Sequence, residues 1–174
     1  MNMQQMEFKY VGNGFRAWGF SVIFFSALSY VCLKLTGNNL FYLLYLGVPV
    51  VANIFIKVKN KNKALSATGK MINSVWIVFG IIAVLMCIGR YFYSFHLFAL
   101  ISILMGIETI VTGIILNQKA IIMLGFVGVF GTIPLMIISG YEQIIIISII
   151  FLFISVIPGL ILNTNQEPSE IKKE

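Results

Sequence analysis

The chain contains no aspartate, a single histidine and two cysteines. These shortages exclude whole classes of chemistry. A zinc site draws three or four ligands from Cys, His and carboxylates, and His96, Cys32 and Cys87 do not supply a set with that spacing. There are no paired carboxylates for acid–base work, no glycine-rich phosphate loop followed by Lys-Ser or Lys-Thr, and no serine nucleophile elbow. Charge is also scarce: 10% of residues, against 59% hydrophobic, at a mean hydropathy of +0.98. Soluble domains carry about 25% charged residues. A chain of 174 residues is too short to bury so much apolar surface in a water-facing core, so the solvent for most of it is lipid.

What is present is a series of long apolar stretches. A crossing helix needs about 20 mostly apolar residues, and the stretches 17–33, 40–56, 72–89, 92–116, 120–139 and 143–162 meet that scale. The second is the shortest and contains Pro49. The isoleucine run 144–147 would suit a buried strand locally. The length of its stretch, and the need to satisfy every backbone polar group within lipid, favour helix. The expected fold is all-α, a polytopic bundle of six transmembrane helices. Residues 1–16 are read as a cytoplasmic lead, 17–162 as the membrane domain, and 163–174 as a disordered cytoplasmic tail. The lead contains Glu7, Lys9 and Arg16 and is followed by no small-x-small cleavage site, so the first stretch is read as an uncleaved helix rather than a signal peptide.

The formal charge of +6, from 12 Lys and Arg against 6 acidic residues, falls in the gaps between these stretches. Six crossings place ten of the basic residues (Lys9, Arg16, Lys57, Lys59, Lys61, Lys63, Lys70, Lys119, Lys172 and Lys173) on one side and only Lys34 and Arg90 on the other. That bias places both termini in the cytoplasm. The basic run 57–63 then meets anionic lipid headgroups. It is not a patch on a folded surface, and no nucleic-acid partner is expected. Trp18 and Trp76 are read as cytoplasmic interface markers, and Tyr30, Tyr42, Tyr91, Tyr93 and Tyr141 as outer ones.

Few residues within the spans could carry chemistry. Glu108 is the only acidic one. It lies about 13 Å from the cytoplasmic end of its stretch at 1.5 Å per residue. An ionised carboxylate there costs at least about 2.5–3.5 kcal/mol, so the side chain faces the bundle interior and is protonated or partnered. One reading is a neutral carboxyl in a helix contact; the other is a proton or cation site. His96, twelve residues earlier, is a third of a turn off the same stripe. It is read as an interfacial contact, with a pH-sensing or proton-entry role as the alternative. Gly106 and Gly113 in the fourth stretch, and Gly125, Gly128 and Gly131 in the fifth, recur at spacings that let helix backbones approach closely. They predict a tight hairpin, with a self-association face as a second use. Pro49 and Pro134 interrupt their helices. Each follows a glycine, so the chain could be two inverted halves of three helices, with Asn53 and Thr132 lining a cavity between them. Cys32 and Cys87 are read as buried free thiols, with pairing at the outer face as the alternative.

Four short segments, Gly14-Phe-Arg-Ala-Trp-Gly-Phe20, Asn73-Ser-Val-Trp-Ile-Val-Phe-Gly80, Gly106-Ile-Glu-Thr-Ile-Val-Thr-Gly113 and Ile157-Pro-Gly-Leu160, sit in a layout over residues 14–162. That layout resembles a group of small six-helix bacterial inner-membrane proteins with no established activity. The stretch holding the paired glycines is also similar to acid-resistance-type membrane proteins. The resemblance implies a bacterial plasma membrane and assigns no catalytic residue, metal or cofactor. The expected function is non-enzymatic, acting through helix packing or partners: the bilayer, a second copy, or another membrane protein. The alternative is a small transporter or channel subunit with Glu108 as its proton or cation site.

Overall fold

The computed structural model describes residues 3–59, 66–93 and 95–164. Most of the basic run after Lys59, and the predicted tail from residue 165 on, lie outside the described residues. Eight α-helical segments follow one another: α1 (Met3–Thr36), α2 (Gly47–Lys59), α3 (Ala67–Phe92), α4 (Leu97–Ile115), α5 (Lys119–Phe130), α6 (Thr132–Ile137), α7 (Glu142–Phe151) and α8 (Ile157–Thr164). A 3₁₀ segment, Asn39–Leu46, precedes α2, and a π-helical segment, Leu152–Val156, joins α7 to α8. Joined in this way, they form six helical stretches long and apolar enough to cross a membrane: Gln5–Thr36, Leu40–Val58, Ala67–Arg90, Leu97–Ile115, Lys119–Ile137 and Glu142–Thr164.

Several boundaries differ from those read in the sequence. The first helix starts at Met3, so most of the polar lead forms its opening turns. Its 34 residues span about 51 Å, against about 30 Å of hydrocarbon. It ends where Gly37, at φ +66°, returns its N–H to the Leu33 carbonyl at 2.8 Å. α3 starts five residues earlier than expected. Ser66 caps it, its hydroxyl accepting from the Gly69 N–H at 3.1 Å, a serine N-cap of the usual kind. The turn expected at Gly89-Arg90-Tyr91 lies later, because α3 continues through Phe92. The short second stretch crosses because its first part is 3₁₀, which rises about 2.0 Å per residue instead of 1.5 Å.

Pro49 and Pro134 each lie just after a break in the α-helix of their span, as the third residue of α2 and of α6, and Pro158 is the second residue of α8. At Pro49 and Pro134 the missing N–H costs little; Pro158 follows the π segment directly, within one continuous span. The breaks fall at unlike places. An 8-residue 3₁₀ segment precedes α2, whereas the 12-residue α5 precedes the break at Gly131.

The hairpin of α4 and α5 is the closest helix pair. A Cβ on Gly106 would lie 2.8 Å from the Val129 nitrogen and 2.9 Å from the Gly125 oxygen. One on Gly113 would lie 2.8 Å from the Ile122 nitrogen, and one on Gly128 2.9 Å from the Gly106 Cα. The connection is a Schellman turn. Asn117 sits at φ 52°, its N–H reaches the Ile114 carbonyl at 3.0 Å, and the Gln118 N–H reaches Gly113 at 2.8 Å. Gly131 does not share this face. Its missing Cβ makes room for Ile150 of α7, 2.7 Å away.

A second close crossing brings α1 against the last span. A Cβ on Gly12 would lie 3.1 Å from the Gly159 oxygen, and one on Gly159 2.8 Å from the Gly12 oxygen. The Ser155 hydroxyl donates to the Phe15 carbonyl at 2.7 Å. Two apolar clusters fill the interior. One gathers Val22, Leu33, Tyr45, Phe98, Leu135, Ile147, Phe151 and neighbours; the other gathers Val11, Phe15, Ile72, Leu116, Ile121 and Leu162.

Candidate functional site

Glu108 lies where the two clusters meet. It is 5% exposed and faces a cavity of about 10 Å³ lined by Phe15, Trp18, Trp76, Met105, Thr109, Phe151, Ile154 and Ser155. That volume holds about one water molecule. Among the described residues no side chain donates a hydrogen bond to the carboxyl or pairs with it. The nearby hydroxyls are committed elsewhere: Thr109 to the carbonyls of Met105 and Ile154, Thr112 to the Trp76 indole, and Ser155 to Phe15. A polar group in this state loses its hydration without a replacement partner.

Both tryptophans are half-buried against neighbouring helices, Trp18 fifteen residues into α1 and Trp76 nine into α3. Trp76 is held from three sides. Its Nε1 donates to the Thr112 hydroxyl at 3.2 Å, and its ring meets Phe15 edge-on at 5.0 Å between centroids. Its edge fills the notch at Gly14, where a Cβ would come within 2.1 Å of the ring.

The two indoles separate Glu108 from an open cleft. α2 packs on α1, and α3 packs chiefly on α4, so α2 and α3 stand apart although consecutive in the chain. Between them lies a cleft of about 490 Å³ whose lining includes Trp18, Pro49, Asn53, Trp76, Gly80 and Ile81. Asn53 thus lines a cavity, but its amide is spent on the Pro49 carbonyl at 2.7 Å. Trp18 also borders an apolar pocket of about 50 Å³ lined by Val22, Tyr45, Cys87, Phe98 and Phe151, among others. Trp18 borders all three spaces.

The other sequence candidates lie elsewhere. His96 is the N-cap residue of α4, exposed, and makes no capping bond. It lines a surface depression of about 440 Å³ with Tyr42, Arg90, Tyr141 and Gln143, about 18 Å along the helix from Glu108 at 1.5 Å per residue. Cys32 and Cys87 are both free. Thr132 is buried and bonds the Ala99 carbonyl at 3.4 Å, a contact between α6 and α4 and not a cavity lining. Among the described residues no three His, Cys, Asp or Glu side chains gather as a metal site would require. The sequence reading missed Trp18, Trp76, Gly12, Gly14 and Gly159. The pairing of Gly14 with Trp76 is visible only in three dimensions, because 62 positions separate them.

The fold and this site define a polytopic helical membrane protein with, among the described residues, one buried carboxyl and a cleft open to its flank. Comparison with protein-family models, curated proteins and solved structures finds no match for the chain.

Proposed function

We propose that this is a non-enzymatic membrane protein that works by binding, with the cleft between α2 and α3 as the seat for an apolar segment of another membrane component. The observation that carries this reading is the cleft itself. It is about 490 Å³ in size, in the range of ligand-binding pockets, and lies between two consecutive helices that do not close on each other. Among the described residues no histidine, cysteine or second carboxyl lines the Glu108 cavity. The basic loops and both termini face the cytoplasm on this reading, in a bacterial plasma membrane. The test is accessibility of a cysteine at Ile81 in a Cys32→Ser, Cys87→Ser background. Ile81 is 56% exposed and lines the cleft. A membrane-permeant maleimide should label it slowly in native membranes and quickly in the purified protein, while a cysteine at Phe130, on α5, labels alike in both. Equal labelling of the two positions in native membranes would leave the cleft without an occupant and end the proposal.

A second reading uses Glu108 as a proton or cation site. It is supported by the unpartnered carboxyl behind the two indoles. Infrared titration in lipid, with Glu108→Gln as reference, tests it. A carboxyl band that titrates between about pH 5 and 8 supports exchange with water. A band that stays fixed across that range counts against it.

A further inference from the structure

A different groove lies on the other side of α2, against α1. It has a volume of about 500 Å³ and is lined by Asn13, Arg16, Ala17, Phe20, Ser21, Phe24, Val51 and Phe55. Its walls below Arg16 are apolar, and Phe20, Phe24 and Phe55 are all more than half exposed. Three polar side chains, Asn13, Arg16 and Ser21, interrupt that surface. Arg16 is half-buried, and no side chain among the described residues pairs with its guanidinium. Ser21 is only 4% exposed, yet among the described residues its hydroxyl has no hydrogen-bond partner.

The position of Arg16 is set by packing. A Cβ on Gly159 would fall 2.5 Å from the Arg16 Cγ, so α8 presses on the stem of the side chain. Arginine stems otherwise let the charged head swing toward water. Depth fits as well. Twenty residues separate Arg16 from Thr36, the last residue of α1, and that is about 30 Å of helix, the thickness of the hydrocarbon layer. Arg16 therefore stands at headgroup level, on the side where the N-terminus and Lys57 emerge. Ser21 stands about 7.5 Å deeper, within the hydrocarbon layer and beside the acyl chains.

We infer that this groove binds one anionic phospholipid. The Arg16 guanidinium takes the phosphodiester, which it can meet with two parallel hydrogen bonds. An acyl chain lies along Phe20, Phe24 and Val51, past the Ser21 hydroxyl. The site is separate from the cleft between α2 and α3, so it stands whether or not that cleft is a binding surface.

Native mass spectrometry of the delipidated full chain, titrated with phosphatidylglycerol or phosphatidylcholine of matched chains, tests the assignment. The wild type should retain phosphatidylglycerol in preference. Arg16→Gln should weaken it on the order of tenfold, as expected for loss of a charge-assisted bond, and Arg16→Lys should recover part of that loss. Lys119→Gln should change the retention of neither lipid. Three outcomes overturn the inference: equal retention of the two lipids by the wild type, an equal loss in Arg16→Gln and Lys119→Gln, or displacement of the bound lipid by inorganic phosphate.

Discussion

The hydroxyl of Thr109 shares its proton between the carbonyl of Met105, at 2.9 Å in its own helix, and that of Ile154, at 3.1 Å in the last span, and Ile154 is the residue four before Pro158. Proline has no N–H to return to that carbonyl and its ring crowds it. The chain widens into the π segment Leu152–Val156 just before Pro158, and a side chain from α4 supplies the missing donor. The backbone defect of the last span and the buried threonine of the fourth are therefore parts of one arrangement.

Thr109→Val should accordingly destabilise the protein by about 1 kcal/mol. An unpaired buried carbonyl costs about 1–3 kcal/mol, but hydrogen bonds between helices in membranes average nearer 0.6 kcal/mol. Thr109→Ser should keep most of the stability. In a Pro158→Ala background the loss should shrink, because the backbone N–H of residue 158 is restored. Unfolding in mixed micelles of the four variants measures the coupling. Additive effects would show that Thr109 does not act through the proline.

The glycines separate into those that touch backbone and those that do not. Gly106→Ala places its methyl 2.8 Å from the Val129 nitrogen, and neither helix can give way without opening the hairpin. A loss of about 1–3 kcal/mol is expected from overpacking. Gly80→Ala meets nothing closer than the Trp18 ring edge at 3.7 Å. It should be neutral or slightly stabilising, as alanine is the better helix former. Similar losses for the two would mean that the α4–α5 contact is not a close one.

The number of crossings was legible because each apolar stretch must satisfy its own backbone in lipid, and that requirement is written in length. Glu108 was legible for a related reason, since a lone carboxylate inside a span stands out against its neighbours. The helix starts at Met3 and Ala67 were not. Their first turns are polar and lie at the edge of the apolar stretches, where hydropathy carries no signal; the cap at Ser66 was the available clue. Nor were the helix breaks ahead of the prolines readable, because a 3₁₀ or π segment has the same hydropathy as an α-helix. The places of Trp18 and Trp76 depend on which helices neighbour one another. Nothing in the pattern 17–33 or 72–89 says that α3 leans on α4 and leaves α2 free.

Glu108 has no side-chain partner to lose among the described residues. Glu108→Gln should leave stability within about 0.5 kcal/mol of the wild type. Glu108→Leu, close in volume and without a polar group to desolvate, should raise it by about 1 kcal/mol, the lower end of the cost of an unmade hydrogen bond. Thermal or detergent-induced unfolding of the two variants checks the ordering. A leucine variant less stable than the glutamine one would show that the carboxyl is hydrogen-bonded in the membrane, by water in the 10 Å³ cavity or by a bound partner.

Access to that carboxyl from the cleft depends on how Trp76 is held. The ring is seated by the notch at Gly14, by the edge of Phe15 and by the Thr112 hydroxyl, and it forms a wall of both the cleft and the Glu108 cavity. A hydrophobic carbodiimide, which reacts with carboxyls in apolar surroundings, should modify Glu108 slowly in the wild type. Trp76→Ala removes the wall and should speed the reaction several-fold. Gly14→Ala should do so through a different element, because its methyl would collide with the ring 2.1 Å away. Thr112→Val, which removes only the hydrogen bond, should have a smaller effect in the same direction. Peptide mapping of the adduct confirms the residue modified, with Glu108→Gln as the blank. Equal rates in all four proteins would mean that reagents reach Glu108 by a path that does not pass Trp76, and the separation of the cleft from the carboxyl would then belong to Trp18 alone.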